Sequence, residues 1–261
     1  MEQVKLIHTN SHVQRVLAAL PQHGIAYLDP DTVVSPSSGE AALHAVGAVC
    51  AAVDAVMRGE ARNAFCGVRP PGHHAMPDHA MGFCIFNNIA IAAQHARKAH
   101  GIRRVAIVDF DVHHGNGTQA AFEKDENVLY ASTHQQPWYP GTGDDSETGV
   151  GNIFNVGLKA GSGSREFRSA MTDKILPAVE RFRPDFLLIS AGFDAHQGDP
   201  LASLNLVEAD FAWITAELKA LANRSCSGRI VSVLEGGYDL EALGESVAAH
   251  VGTLMEMPGP T

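Results

Sequence analysis

Between Val105 and Gln119 the chain reads VAIVDFDVHHGNGTQ, which puts Asp109, Asp111 and His113 directly behind an apolar run. Val105, Ala106, Ile107, Val108 and Phe110 have the composition of a parallel strand covered on both faces, where an unpaired charge is expensive. The polar residues therefore need compensation, and a metal cation supplies it best. The period of two in an extended chain sends Asp109, Asp111 and His113 to one side, at the carboxyl end where α/β sheets place their chemistry. With Asp194 from the later GFDAHQGDP loop, Asp111 and His113 make an Asp/His/Asp set of three ligands. Such a set leaves coordination positions for water and substrate, as a catalytic zinc site requires. Taken singly, Asp111 also fits a helix cap, His113 a packed imidazole and Asp194 a turn residue.

Acid–base groups lie in two further loops. His73 and His74 follow Pro70, Pro71 and Gly72, whose rigidity can aim both imidazoles into one pocket. Adjacent histidines need separate partners, and Asp109 and Asn116 are at hand. An ionised carboxylate favours imidazolium, whereas a neutral amide fixes a tautomer without adding charge, so the pair can differ in pKa. Tyr238, behind two glycines in LEGGYDL, can donate a hydrogen bond to an oxyanion or pack at the sheet edge. An isolated His-His pair also fits surface polarity or core hydrogen bonding.

The elements that must position these residues alternate along the chain. Strands are expected at Ala64–Val68, Arg104–Phe110, Val128–Thr133, Ile153–Val156, Phe186–Ala191 and Ile230–Leu234. Alanine-rich helices are expected between them, at Gly39–Met57, Asn88–His100, Ser164–Arg181, Val207–Asn223 and Leu240–Leu254. This rhythm predicts an α/β fold with a largely parallel sheet, and the polar loops RPPGHHAM, DVHHGNG, GFDAHQGDP and EGGYDL should meet at one rim. With 261 residues, 45% hydrophobic content and no Pro/Ser/Gly linker, a single domain over residues 1–261 is the economical reading. Lys and Arg number 19 against 29 Asp and Glu, a formal charge of -10 that argues against broad binding to nucleic acid. Four cysteines without CxxC spacing suit reduced core thiols. No signal-peptide core and no uncharged apolar run of membrane-spanning length is evident, so a cytoplasmic protein without membrane association is expected.

Five motifs in order, RPPGHHAM, GFCIFNN, DFDVHHGNGTQ, SAGFDAHQGDP and LEGGYDL, resemble the zinc-dependent histone deacetylase family, in its class II-like and bacterial amidohydrolase branch. The resemblance runs from about Ile7 onward. It implies a three-layer α/β/α arginase-deacetylase fold, and a hydrolase of linear amides with Zn2+ on Asp111, His113 and Asp194. It implies His74 as general base and then acid, oriented by Asn116, with His73 as an electrostatic partner backed by Asp109. Tyr238 would donate to the oxyanion. Asparagine at position 116 is the class II habit; class I members carry aspartate there. Gly82, Phe83, Tyr139, Leu201 and Gly237 would line the substrate path, although Phe83 also fits simple packing.

The resemblance further implies K+ beside the strand, with Asp109, Asp111, His113, Ser132 and Thr133 as candidates, and Phe122, Val128 and Asn152 for a second ion. Polyamine-selective relatives carry glutamate where this chain has Leu201, so acetyl-lysine in proteins or peptides is the favoured substrate, with small acetylated amines as the alternative. Relatives usually have some tens of residues, including an HPExPxR-like loop, before the segment resembling VKLIHTNSHVQRVL. The absent wall supports a second reading behind the zinc amidohydrolase, a wider pocket in a feebly active acyl-lysine binder, or an edge strand that pairs in a homo-oligomer. A di-metal hydrolase of arginase type is the third reading, and His73 and His74 after RPPG fit the deacetylase pattern better.

Overall fold

Apolar runs too hydrophobic to face water become the strands of a central sheet in the computed structural model, which describes residues 1–256. A short antiparallel pair, β1 (Ala26–Tyr27) and β2 (Val33–Val34), precedes it. The main strands are β3 (Asn63–Cys66), β4 (Val105–Asp109), β5 (Val128–Gln135), β6 (Ile153–Leu158), β7 (Phe186–Ala191) and β8 (Ile230–Leu234). Their order is β3-β8-β7-β4-β5-β6 and every neighbouring pair is parallel. All six expected strands are present. β5 runs two residues beyond expectation because His134 and Gln135 keep pairing with Gly157 and Leu158 of β6.

Helices cover both faces. They are α1 (Asn10–Ala19), α2 (Ser38–Met57), α3 (Asn88–His100), α4 (Asn116–Phe122), α5 (Ser164–Ala170), α6 (Leu176–Phe182), α7 (Glu208–Ser225) and α8 (Leu240–Met255). Alternation along β4 sends Val105 and Ile107 into a core shared with α2 and α3, and Ala106 and Val108 into a second core shared with α7. Three layers result. The helix expected over Ser164–Arg181 is split into α5 and α6 by a π-helical turn at Met171–Ile175. Two helices, α1 and α4, were not expected: α1 is polar and begins at Thr9, whose Oγ1 accepts the His12 N–H, and α4 has only seven residues. By length and composition α2 could cross a membrane, with 20 residues and a mean hydropathy of 1.5. Its Ala42, Val46, Val49 and Val53 are buried in the first core.

The topology concentrates the chemistry. After β4 the chain continues to β5 on one side, and β7 later returns to the other, so β4 and β7 flank the switch point of the sheet. A crevice opens there, beyond the carboxyl ends of the strands.

Candidate metal centre and active site

β4 ends at Asp109, one residue short of expectation, and the period of two does not continue to His113. The side chains converge through two nested turns instead. The Asp111 N–H donates to Asp109 Oδ1 at 3.1 Å, and the His113 N–H donates to Asp111 Oδ1 at 2.8 Å. Each carboxylate thus folds the two residues behind it. Asp194, from the loop after β7, accepts the Val112 N–H at 2.9 Å and ties the two loops together. Asp111 does not cap a helix, since α4 starts at Asn116 behind Gly115.

Asp111, His113 and Asp194 are buried and offer ligand atoms within 4.8 Å of one another. His113 Nδ1 is 3.1 Å from Asp111 Oδ1 and 3.1 Å from Asp194 Oδ2. Ligands about 2.0–2.1 Å from a tetrahedral zinc lie roughly 3.3 Å apart, so the trio fits such an ion with little adjustment. Its electrostatics agree. Burial, then the Asp111 charge, pushes Asp194 up to about 7, while burial is outweighed at His113, which both carboxylates lift to about 10. Two carboxylates this close demand positive charge, and a divalent ion supplies it without a bound proton. Gly236 makes room: its N–H donates to Asp111 Oδ2 at 2.8 Å, and a Cβ there would strike Asp194 Oδ2.

The histidine pair is differentiated as the sequence suggests. His73 Nδ1 donates to Asp109 Oδ2 at 3.0 Å; burial opposes its charge, but Asp111, Asp109 and Glu235 raise its pKa well above the ordinary value. A metal on Asp111 would leave Asp109 as its principal counter-charge. His74 Nδ1 donates to Asn116 Oδ1 at 2.8 Å, and burial followed by the His73 charge lowers its pKa well below the ordinary value. With ring centroids 4.1 Å apart, one imidazole is charged and the other neutral.

These groups face a cavity of about 230 Å³, lined by Pro71, His73, His74, Gly82, Phe83, His113, Tyr139, Leu201 and Tyr238 among others. The loops after β3, β4, β7 and β8 therefore meet at one rim. The Tyr139 ring meets His74 edge-on at 5.2 Å, and Phe83 faces Tyr238 at 5.9 Å. Gly82, at φ +58°, leaves room for the His74 ring, whose Cγ would be 2.7 Å from an added Cβ. Gly237 does not line the cavity; Gly236 does, and Gly237 backs onto Leu243. Tyr238 keeps its proton, because burial and then the Asp194 and Asp111 charges raise its pKa.

Of the potassium candidates, Asp109 lies opposite Ser132 in the β4–β5 register, and Thr133 follows, buried. Ser132 Oγ is shared with His134 Nδ1 at 2.9 Å. At the second expected position the carbonyls of Phe122, Asp125 and Val128 converge on the side-chain amide of Asn152, at 2.8, 3.1 and 2.7 Å. Phe122, Val128 and Asn152, the candidates for a second ion, are thus brought together at one place.

A histone deacetylase domain model matches residues 1–254. The chain belongs to the histone deacetylase family. Among its relatives, the histone deacetylase-like amidohydrolase of Pseudomonas aeruginosa is 44% identical over 242 residues, which cover 91% of this chain and 63% of that one. The chloroplastic histone deacetylase 14 of Arabidopsis thaliana is 40% identical over 262 residues, 95% of this chain and 62% of the relative. This chain thus spans less than two thirds of their length. The crystal structure of the HDA15 HD domain superposes with a TM-score of 0.91 at 39% identity, covering 100% of this chain and 74% of that one.

Within this histone deacetylase domain several supporting residues escaped the sequence reading. Glu235 accepts the N–H groups of Gly72 and His73 on Oε2, at 2.7 and 3.1 Å, and Ser190 Oγ on Oε1 at 3.0 Å. Tyr130 donates to Asp109 Oδ2 at 3.0 Å and accepts the Gly115 N–H at 2.9 Å. Asp199 Oδ2 accepts the Tyr238 N–H at 2.7 Å. Glu235, in the quoted LEGGYDL, carried a usable signal: a carboxylate directly behind an apolar strand. Tyr130, inside a strand, carried none.

Proposed function

We propose that the chain hydrolyses the amide of acetyl-lysine in proteins or peptides. One observation carries the reading: a buried Asp111–His113–Asp194 trio beside an aromatic-walled cavity that also holds a neutral imidazole and a protonated phenol. A divalent ion held by Asp111, His113 and Asp194 would supply Lewis acidity, polarising a carbonyl and acidifying water.

The chain's own groups account for the remaining needs. His74 commits Nδ1–H to Asn116, which leaves its Nε2 lone pair free to take a proton from the attacking water. When the C–N bond breaks, the same nitrogen returns that proton to the amine, so water and amide become acetate and lysine. Tyr238 donates its phenolic hydrogen to the oxygen on which negative charge develops. His73, held by Asp109, keeps positive charge beside His74 and lowers that residue's basicity, which favours return of the proton to the leaving group. No acyl-enzyme is needed. Phe83 and Tyr139 offer apolar walls to a four-carbon stem, and Leu201 at the mouth presents no charge to attract a free polyamine. A potassium ion among the oxygens of Asp109, Asp111, Ser132 and Thr133 belongs to the same reading.

The test is turnover by zinc-loaded protein of a fluorogenic acetyl-lysine peptide beside acetylputrescine, with the Tyr238→Phe and His74→Ala variants in parallel. Preference for the peptide and loss in both variants are expected. Zero turnover of every acyl amide would sink the reading; preference for acetylputrescine would move the substrate to small amines.

A further inference from the structure

A second convergence of metal-ligating side chains lies on the α2–α3 layer, apart from the catalytic rim. Asp54, in the last turn of α2, accepts two hydrogen bonds on a single oxygen: His95 Nε2 is 2.7 Å and His100 Nε2 is 2.6 Å from Oδ1. His95 and His100 belong to the last two turns of α3, which is anchored at its other end where the Asn88 amide donates to Pro70 O at 3.0 Å. A helix of 13 residues spans about 20 Å, which separates His100, its last residue, from the Asn88 anchor.

Three features suit this group to a cation rather than to a structural hydrogen bond alone. The three ligand atoms fall within 4.8 Å of one another, as they do in the catalytic trio. All three side chains are partly open, at 14%, 20% and 31% exposure, so an ion can enter and water can complete its coordination. Neither Nδ1 has a protein partner among the described residues, so the tautomer that carries its hydrogen on Nδ1 and offers Nε2 as a ligand meets no competing contact. Local charge is permissive. Arg58, one turn beyond Asp54, is already engaged by Glu60 at 2.7 and 3.1 Å, and the C-terminal end of α3 carries negative dipole. Burial works against the Asp54 charge, but the hydrogen bonds from His100 and His95 outweigh it and hold the group below its ordinary range.

We propose that Asp54, His95 and His100 form a second, structural site for a divalent transition ion of the zinc class, which staples α2 to α3. Two imidazoles and one carboxylate are borderline ligands of the kind that Zn2+, Co2+ and Ni2+ prefer over Mg2+ or Ca2+. Binding needs the nitrogens to retreat from the carboxylate oxygen to roughly 3.3 Å, a shift of about 0.6 Å that partly exposed rings can make.

The test is a Co2+ titration of the metal-stripped full chain, followed by visible absorbance and checked by elemental analysis, on wild type, the His95→Gln/His100→Gln double variant and Asp54→Asn. Two equivalents are expected in wild type. One is expected in the double variant, and at least a hundredfold weaker binding of the second equivalent in Asp54→Asn, both with unchanged acetyl-lysine turnover. The Tm of wild type, but not of the double variant, should also rise when the second equivalent of Zn2+ is added. One equivalent in wild type, or two equivalents bound alike by wild type and both variants, would overturn the proposal. Asp54→Asn preserves shape and serves if the double variant does not fold; the catalytic equivalent stays as an internal control that separates this site from the proposed activity.

Discussion

Tyr238 is the side chain whose chemistry can be removed with the least change of shape. Its phenol stays protonated because burial and the neighbouring carboxylates oppose ionisation, so across neutral pH it holds the hydrogen that its proposed role at an oxyanion requires. Tyr238→Phe keeps the ring against Phe83 and deletes that donor. The expected result is a fall in kcat of about 10²–10³ with KM within a few fold, since the lost bond exists only as charge develops. Steady-state kinetics on the acetyl-lysine peptide decide it; a change confined to KM would make the hydroxyl a ground-state contact. His74→Ala should cost about 10²–10⁴ in kcat, because no other neutral imidazole lines the cavity with an uncommitted nitrogen. Asn116→Ala should cost less, for it frees the His74 ring without removing it. An Asn116→Ala loss equal to that of His74→Ala would mean that ring orientation, rather than the base itself, limits the rate.

At the scale of elements, the loops after β3 and β8 are joined through one buried carboxylate. Glu235 accepts the N–H groups of Gly72 and His73, and burial, opposed by the His73 charge, pushes its own pKa up to about 7. Glu235→Ala leaves three buried donors unmet, the Gly72 and His73 N–H groups and the Ser190 hydroxyl, each costing about 1–3 kcal/mol, so a destabilisation of about 3–9 kcal/mol is expected in urea unfolding. A cost below 1 kcal/mol would show that water replaces the carboxylate. The six main strands were legible because each is an apolar run with turn residues behind it, and so was the rim, since parallel strands deliver their loops to one end. Nested turns at Asp109 and Asp111 were not, because a carboxylate that bonds the backbone two residues ahead has the same spelling as one that projects from a strand. α4 is too short to display a helical period. Asp54 and His95 are 41 residues apart on two helices, and only the packing of α2 on α3 makes them neighbours.

Over the whole molecule, imidazoles buried in the neutral form link folding to pH. His8 is brought to about 4 by burial and then by His12, His114 to about 3 by burial and then by His134, and His250 to about 4 by burial. Each titrates near 6.5 once unfolded. Between those values the unfolded chain binds protons that the folded chain refuses, so stability is fully present above about pH 6.5 and is lost as pH falls toward 4. Glu235 and Asp194, whose folded pKa values of about 7 exceed the unfolded ones, act in the opposite sense, as does Asp109, while burial lowers His12, His74 and His134 as it does the three above. The excess of histidines still sets the sign. His250 isolates the effect: its ring touches neither the cavity nor the metal ligands, packs among Phe65, Phe110 and Phe193, and meets Thr215 Oγ1 at 2.6 Å and Ser232 Oγ at 2.8 Å. A shift from 6.5 to about 4 corresponds to about 3 kcal/mol across the window. His250→Gln retains a donor and an acceptor but cannot take up that proton. Urea unfolding between pH 7 and 4.5 should therefore show a slope of stability on pH reduced by about 1.4 kcal/mol per unit in the variant. Equal slopes would mean that His250 charges in the folded state, and that the hydroxyls of Thr215 and Ser232 solvate an imidazolium within the second core.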